Sequence, residues 1–206
     1  MSNEDDFEDV IENPDLPVLG ADSPANQSDF YKIAFQFQKI MMLYESAIKQ
    51  IETKLDILNK ENTVNRRRNP IETVKSRIKS PDSIAKKLEC KKKPITFDSM
   101  ITNLNDIAGV RVICPYISDI YSVRDMLLKQ PDITLIKEND YIQNPKKSGY
   151  RSLHLIIEIP IFLTQEKEYM KVEVQFRTIA MDFWASLEHK MKYKNARAFE
   201  SPRIIL

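Results

Sequence analysis

Glycine, cysteine and histidine are scarce in this 206-residue sequence, which contains three Gly, two Cys and two His. Cys90 and Cys114 have no Cys/His cluster around them, so neither a disulfide framework nor a structural zinc site is expected. No apolar run approaches the ~20 residues of a membrane span, and no basic-then-apolar leader opens the chain. These absences predict a soluble, cytoplasmic protein that does not associate with a membrane.

The shortage of glycine also excludes the common glycine-rich phosphate-binding loops, because neither a P-loop nor a Rossmann fingerprint occurs. If the chain binds phosphate, side chains must supply most of the contacts. Gly109 and Gly149 remain as positions where the backbone could approach a ligand closely.

Charge is abundant but unevenly distributed, although the net charge is only +1. Residues 1–30 contain nine Asp or Glu and no Lys or Arg, whereas residues 64–93 contain eleven Lys or Arg against three acids. Two interpretations stay open. Either an anionic partner such as single-stranded RNA binds the basic segment, or the segment is a solvated charged face.

The first 60 residues divide into a tail and a helix. Residues 1–27 are acidic, contain three prolines and show no sustained period, which predicts a disordered tail. Residues 28–62 are expected to form a long amphipathic helix, capped by Ser28 or Asp29, that packs on the domain or forms a subunit contact. Its apolar stripe is Ile33, Phe37, Ile40, Tyr44, Ile48, Ile51, Leu55 and Leu58. Residues 62–80 are interpreted as a basic connector.

Helices and strands alternate after residue 80. The patterns predict helices over residues 81–92, 97–104, 117–129 and 179–193. Runs of β-branched or alternating apolar residues predict strands over residues 107–114, 133–137, 153–159 and 168–177. This order indicates the α+β class, with a mixed β-sheet flanked by helices and a long N-terminal helix.

The strand predicted at 168–177 alternates between an apolar set of side chains, expected in the core, and a polar set on the other face. The apolar set is Met170, Val172, Val174 and Phe176, and the polar set is Lys171, Glu173, Gln175 and Arg177. This polar face is either solvated or part of a site. Asp106, Ser152 and His154 bring further polar groups beside other predicted strands.

Asp106 and Glu173 are carboxylates from separate strands, as a magnesium-phosphate site requires. Mg²⁺ takes few protein carboxylates, and surrounding cations can hold phosphate oxygens and stabilise charge during phosphoryl transfer. The cations available for this are Arg77, Lys79, Lys87, Arg111, Lys146 and Arg151.

The polar loop over residues 144–152 leads into a strand and presents Tyr150 at its start. An aromatic ring beside several cations can stack on a nucleobase while its neighbours hold phosphates. The alternative is an ordinary basic turn with Tyr150 packed on the domain.

Six segments, in order, resemble the small alarmone synthetases, which carry the synthetase domain of the RelA/SpoT group. They are Arg77-Ile-Lys-Ser-Pro-Asp-Ser-Ile, Asp106-Ile-Ala-Gly-Val-Arg, Tyr141-Ile-Gln-Asn-Pro-Lys, Gly149-Tyr-Arg-Ser-Leu-His, Val172-Glu-Val-Gln-Phe-Arg-Thr and Met181-Asp-Phe-Trp-Ala-Ser-Leu-Glu-His-Lys. The resemblance implies a nucleotidyltransferase-like synthetase domain over residues 63–195, followed by a short atypical end at 196–206.

The resemblance also implies an activity: GTP diphosphokinase (GTP pyrophosphokinase), an enzyme of the stringent response. It would move the β,γ-diphosphate of ATP to the 3′-hydroxyl of GTP or GDP, making pppGpp or ppGpp and releasing AMP. By motif, Asp106 and Glu173 would hold Mg²⁺, and Glu173 would also accept the hydroxyl proton. The implied ATP contacts are Arg77, Lys79, Ser83, Lys87 and Arg111. The implied GTP or GDP contacts are Lys146, Tyr150, His154, Gln175 and Asp182.

The sequence departs from the family pattern in two places. Phe176 replaces an aliphatic residue, and a dissimilar stretch at 196–206 stands where family members continue with further helices. In the family those helices help to build a homotetramer whose central cleft binds an allosteric alarmone, so tetramer assembly and allostery stay open here. Two histidines are too few for the His-Asp hydrolase domain of the long enzymes, which implies a pure synthetase. The competing hypotheses are a catalytically silent relative and a regulator that binds single-stranded RNA.

Overall fold

The computed structural model describes residues 24–66 and 68–200. The predicted acidic tail, apart from its last four residues, and residues 201–206 lie outside the described residues. The helices are α1 (Pro24–Arg66), α2 (Pro81–Cys90), α3 (Phe97–Asn103), α4 (Ile117–Leu128) and α5 (Ile179–Glu200). The strands are β1 (Thr73–Ile78), β2 (Ala108–Cys114), β3 (Thr134–Asp140), β4 (Leu153–Phe162) and β5 (Lys167–Thr178).

The five strands form one mixed sheet in the order β1-β2-β5-β4-β3. Strands β2 and β5 are parallel, and the other neighbouring pairs are antiparallel. Helix α1 packs across β1, β2, β4 and β5, and the apolar side of β5 is buried as the alternation predicts. The predicted mixed sheet with flanking helices and a long first helix is therefore confirmed.

Helix α1 is longer than predicted. It begins at Pro24, a residue suited to a first helical turn, so Ser28 and Asp29 lie inside the helix and the prediction that they cap it was wrong. The last four residues of the predicted tail are helical for the same reason. Its apolar stripe is buried from Tyr44 to Leu58, whereas Ile33 is exposed.

The main omission from the sequence prediction is β1, which lies within the segment interpreted as a basic connector. It is an edge strand, paired only with β2, and Val74 and Ile78 are its only strongly apolar residues. An edge strand that turns polar side chains toward a site lacks the apolar alternation that would reveal it.

The described part of the chain includes both cysteines and the five helices. Cys90 and Cys114 are both free thiols, one exposed and one buried. Among the described helices, none combines the length and apolarity that crossing a bilayer requires.

Candidate active site

The register of the sheet brings polar side chains from all five strands onto one face. In one row across the sheet, Glu173 of β5 lies between Gly109 of β2 and Ile156 of β4, and the row ends at Arg77 and Lys137. In the next row Gln175 lies between Arg111 and His154, and the row ends at Lys75 and Asn139. A cleft over this face is lined by Arg77, Lys87, Lys91, Asn105, Asp106, Lys137, Asn139, Ile156, Glu173 and Gln175.

Asp106 lies at one end of the cleft, among cationic side chains. Lys79 Nζ lies 3.3 Å from its Oδ2, and Lys87 Nζ hydrogen-bonds the same oxygen. Burial alone would raise the pKa of Asp106, but the charge of Lys79 and the hydrogen bond from Lys87 outweigh it and hold that pKa below its ordinary value. The other oxygen, Oδ1, is buried without a hydrogen-bond partner.

The local sequence explains how the two lysines reach Asp106. Ser80 caps α2 by accepting from the Ser83 amide at 3.3 Å, and Pro81 occupies the first turn. Lys87 is in the last turn of this helix, and the Lys79 amide donates to Ile107 O at 2.8 Å. The cap and the backbone bond therefore hold both ammonium groups beside Asp106, two residues before β2.

Glu173 lies on β5, beside β2, and hydrogen bonds to side chains dominate its surroundings. His154 Nδ1 is 3.3 Å from Oε1, and Gln175 Nε2 donates to Oε2 at 3.0 Å. Burial and the nearby charge of Asp106 raise the pKa of Glu173, but the hydrogen bond and charge of His154 and the Gln175 bond hold it below its ordinary value. The carboxylate is therefore ionised at neutral pH.

Behind Glu173 lies a buried network around Tyr150. The Tyr150 hydroxyl is 2.9 Å from His154 Nε2 and accepts a hydrogen bond from Arg177 at 2.8 Å. Its side chain is only 3% exposed, and Lys146 Nζ lies 5.0 Å from the ring centroid. Tyr150 is therefore packed into the domain.

Asp182, at the start of α5, connects this network to β2. It pairs with Arg111 at 3.2 Å and with Arg177 at 3.1 Å. Arg111 therefore faces α5 in this structure, whereas the sequence analysis assigned it to the ATP phosphates. Of the remaining predicted residues, Ser83 contacts Ser80 in the first turn of α2, and Arg151 is exposed.

The carboxylates can be tested for their fit to a metal ion. Across the described residues, no group of three or more His, Cys, Asp or Glu is arranged to hold a metal. A pair of carboxylates, one with a buried oxygen free of hydrogen bonds, fits Mg²⁺, which usually takes one or two protein carboxylates and completes its shell with water and phosphates.

Comparison with known proteins fixes the family. Residues 76–198 match RelA_SpoT, described as a region found in RelA / SpoT proteins. The chain is 48% identical to GTP pyrophosphokinase YwaC of Bacillus subtilis (strain 168), over 84% of this chain and 82% of that protein. It belongs to the RelA/SpoT family. Its identity to GTP pyrophosphokinase YjbM of the same organism is 35%, over 77% of this chain and 74% of the relative.

Solved structures of small alarmone synthetases agree with this RelA/SpoT assignment. The crystal structure of small alarmone synthetase 2 from Bacillus subtilis matches with a TM-score of 0.69 at 48% identity, covering 79% of this chain and 83% of that chain. Small alarmone synthetase 1 from the same organism, bound to its product pppGpp, matches with a TM-score of 0.70 at 35% identity, over 78% and 82% of the two chains. The predicted resemblance is confirmed.

In this RelA/SpoT-family chain, the structure adds site residues that the sequence analysis did not select. Lys91, Asn105, Lys137 and Asn139 line the cleft, and Tyr141 packs its ring at 5.3 Å from the His154 ring. Tyr141 lay within one of the family segments, which was the available signal. Lys137 and Asn139 gave none, because their place depends on the pairing of β3 with β4.

A second, open depression lies between the starts of α4 and α5 and is largely apolar. Tyr116, Ile179 and Phe183 line it, and neither Asp106 nor Glu173 takes part. Its lining offers no carboxylate and no cation for phosphate chemistry, so the cleft over the sheet is the candidate active site.

Proposed function

We propose that this protein is an ATP:GTP 3′-diphosphotransferase, a GTP pyrophosphokinase that makes pppGpp from GTP or ppGpp from GDP and releases AMP. The named activity of the relatives supports the reaction class. The observation that carries the proposal is that two carboxylates line one cleft: Asp106 is paired with two lysines, and Glu173 is hydrogen-bonded by His154 and Gln175.

The cationic end of the cleft is suited to the triphosphate of ATP. Lys79, Lys87 and Arg77 lie there, and the lysines now share the single oxygen Oδ2 of Asp106. When ATP binds, its phosphate oxygens offer these cations a second set of partners. The same cations then stabilise the negative charge that develops on the transferred group and on the leaving AMP. Ser83 is proposed to add a hydroxyl contact from the first turn of α2.

Mg²⁺ is the proposed cofactor, with Asp106 and Glu173 as its protein ligands. When bound, it would neutralise charge on the phosphates. The buried Asp106 Oδ1, which has no hydrogen-bond partner, supports this assignment.

Glu173 is proposed as the general base. Its carboxylate accepts the proton of the 3′-hydroxyl while the 3′-oxygen forms a bond to the β-phosphorus of ATP. The bond between the β-phosphorus and the α,β-bridging oxygen breaks, and that oxygen leaves with the electron pair as part of AMP. Ionisation of Glu173 at neutral pH, which its hydrogen bonds favour, is the state that this role requires.

The acceptor nucleotide is proposed to bind beside Glu173, with guanine against Tyr150 and its phosphates at Lys146. Lys146 Nζ lies 4.6 Å from the Tyr141 ring centroid and 5.0 Å from that of Tyr150. Lys146 now lies against the Tyr150 ring, so it must move for guanine to reach that ring. Asp182 as a guanine contact remains a prediction, and it would have to compete with two arginine pairs.

The test is a direct assay of the purified protein with ATP, Mg²⁺ and either GDP or GTP, followed by separation of the nucleotides. The expected result is AMP and a guanosine 3′-diphosphate product in equal amounts, with no product when Mg²⁺ is chelated. Folded protein that binds both nucleotides but forms neither product would support the catalytically silent alternative. Homotetramer assembly, alarmone allostery and binding of single-stranded RNA stay predictions.

A further inference from the structure

Arg177 is the largest wholly buried side chain in the described part of the protein, with 0% exposure. It lies on the polar face of β5, four residues after Glu173, and neither the sequence analysis nor the proposed chemistry gives it a role. A buried guanidinium needs partners for its charge and for its hydrogen-bond donors. Asp182 supplies the charge at 3.1 Å. The other contacts of Arg177 lead toward the catalytic base.

One chain of hydrogen bonds runs from Arg177 through Tyr150 to Glu173. Arg177 can only donate, so the Tyr150 oxygen accepts from it at 2.8 Å. The Tyr150 hydroxyl then faces His154 Nε2 at 2.9 Å, and His154 Nδ1 lies 3.3 Å from Glu173 Oε1. Because an ionised carboxylate can only accept, Nδ1 carries the hydrogen of that contact.

A second, shorter chain runs through Gln175. Arg177 donates to Gln175 Oε1 at 3.2 Å, and Gln175 Nε2 donates to Glu173 Oε2 at 3.0 Å. The donor on Arg177 also fixes which end of the Gln175 amide is oxygen, because the guanidinium cannot accept. The two chains leave one terminal nitrogen of Arg177 and end on the two different oxygens of Glu173.

We propose that Arg177 is a positioning residue for the pyrophosphoryl transfer, fixing the orientation of the Glu173 carboxylate through both chains. The inference rests on the proposed role of Glu173 as the base. Asp182 anchors the guanidinium, so the start of α5 sets the direction in which the base presents its oxygens. The planar guanidinium of Arg177 can donate hydrogen bonds to Asp182, Tyr150 and Gln175 at once, whereas the ammonium group of a lysine cannot reproduce that spacing of donors.

The resemblance implied that His154 contacts the GTP or GDP, whereas the geometry gives it a role inside the network. Its two ring nitrogens face Tyr150 and Glu173, and the side chain is 3% exposed. It is therefore a link between Arg177 and the base, and a contact with the acceptor phosphates would require breaking one of these two hydrogen bonds. The ring of Tyr150 is fixed by the same network, with Arg177 Cζ 5.2 Å from its centroid.

The test compares Arg177→Lys with variants that cut the two chains separately. Tyr150→Phe keeps the aromatic ring and removes the hydroxyl, and Gln175→Leu removes the second chain. We expect Arg177→Lys to lower kcat about 100-fold, because a small misplacement of a reacting group costs about that much. The KM for ATP should change less than about threefold, because Asp106 and its lysines are not part of the network.

The decisive measurement is additivity. The double variant Tyr150→Phe/Gln175→Leu should lose about as much kcat as Arg177→Lys. Adding Arg177→Lys to the double variant should then lower kcat less than about a further threefold, because the effects of residues that act as a unit are not additive.

Arg124→Lys is the matched control. Arg124 pairs with Glu138 at 2.6 Å outside the cleft lining, so its kcat should stay within about twofold of wild type.

Circular dichroism and thermal unfolding report whether each variant is folded, and nucleotide binding reports whether the cleft is intact. A folded Arg177→Lys with kcat within twofold of wild type would overturn the proposal. It would also be overturned if adding Arg177→Lys to the double variant lowered kcat as much as Arg177→Lys does alone. If Arg177→Lys does not fold, the Tyr150→Phe and Gln175→Leu variants decide alone, and near-normal kcat in their combination overturns it. If wild-type protein makes no product, the proposed function fails and not the positioning role alone.

Discussion

The two carboxylates of the site have opposite surroundings, Asp106 just before β2 and Glu173 on the neighbouring strand β5. Lys79 and Lys87 approach one oxygen of Asp106, so charge dominates there. Around Glu173, His154 and Gln175 each take one oxygen, so oriented hydrogen bonds dominate. Both groups have a pKa below the ordinary carboxyl value, reached by different means.

The difference separates two tasks that a diphosphotransferase must perform. A polyphosphate carries several negative charges and is best met by cations that a carboxylate holds in place until the ligand arrives. A general base must instead present a defined lone pair to one proton, which requires orientation more than charge. We therefore expect changes at Glu173 to act on kcat, and changes around Asp106 to act on ATP and metal binding.

The largest expected effect follows from Glu173→Gln, which keeps the size of the side chain and removes its basicity. We expect turnover to fall about 1,000-fold, within the range that general-base catalysis supplies. Nucleotide binding, measured by calorimetry with ATP and GDP separately, should be largely preserved. Near-native turnover in this variant would show that another group takes the proton.

Asp106→Asn should have the next largest effect and should differ in kind. It removes one metal ligand and the partner of two lysines, so we expect kcat/KM for ATP to fall about 100-fold, the cost of losing charged hydrogen bonds. The Mg²⁺ concentration for half-maximal activity should rise, and added Mg²⁺ should restore part of the rate. Glu173→Gln also removes a proposed metal ligand, so its Mg²⁺ requirement should rise as well, but added Mg²⁺ should not restore its turnover because the base is missing. Recovery of turnover in Glu173→Gln at high Mg²⁺ would contradict the comparison.

The shared face of the polar residues of β5 could be predicted from the sequence, because it depends only on the alternation of side chains along one strand. Alternation along β5 gave Glu173, Gln175 and Arg177 one face, because strand side chains have a period of two. It could not show that Gln175 and Arg177 on this face are buried. Arg177 is wholly buried because Asp182, on the next helix, neutralises it, and that pairing depends on how α5 leaves the sheet.

Other features of the structure could not be predicted because they depend on contacts between distant parts of the chain. Lys137 and Asn139 reach the cleft only because β3 pairs with β4 at the far edge of the sheet, and no local pattern encodes that order. The apolar stripe of α1 predicted a helix correctly, but periodicity does not say where the packing partner ends. Within that stripe, Leu55 is wholly buried in the second half of the helix, whereas Ile33 is 57% exposed in the first.

A smaller effect is expected from Lys87→Met, for which the chain supplies a matched control. Lys87 lines the cleft beside Asp106, and Lys86 is exposed one position earlier on the same helix. Loss of one charge-assisted hydrogen bond, made to ATP and to the charge that develops during transfer, should lower kcat/KM for ATP about tenfold. Lys86→Met should leave kcat/KM within about twofold. Equal effects of the two variants would mean that general positive charge, and not the position of Lys87, binds ATP.

The smallest expected effect tests whether the donor end of the cleft depends on the cap of α2. Ser80 accepts from the Ser83 amide at 3.3 Å, so Ser80→Ala should lower the free energy of unfolding by about 1 kcal/mol, and Ser80→Asp should keep it. Urea denaturation measures the stability, and the KM for ATP measures the position of Lys87. If the cap holds Lys87 in place, that KM rises in the alanine variant and stays normal in the aspartate variant. A stability loss with no change in KM would mean that the pairing with Asp106 is enough to position Lys87.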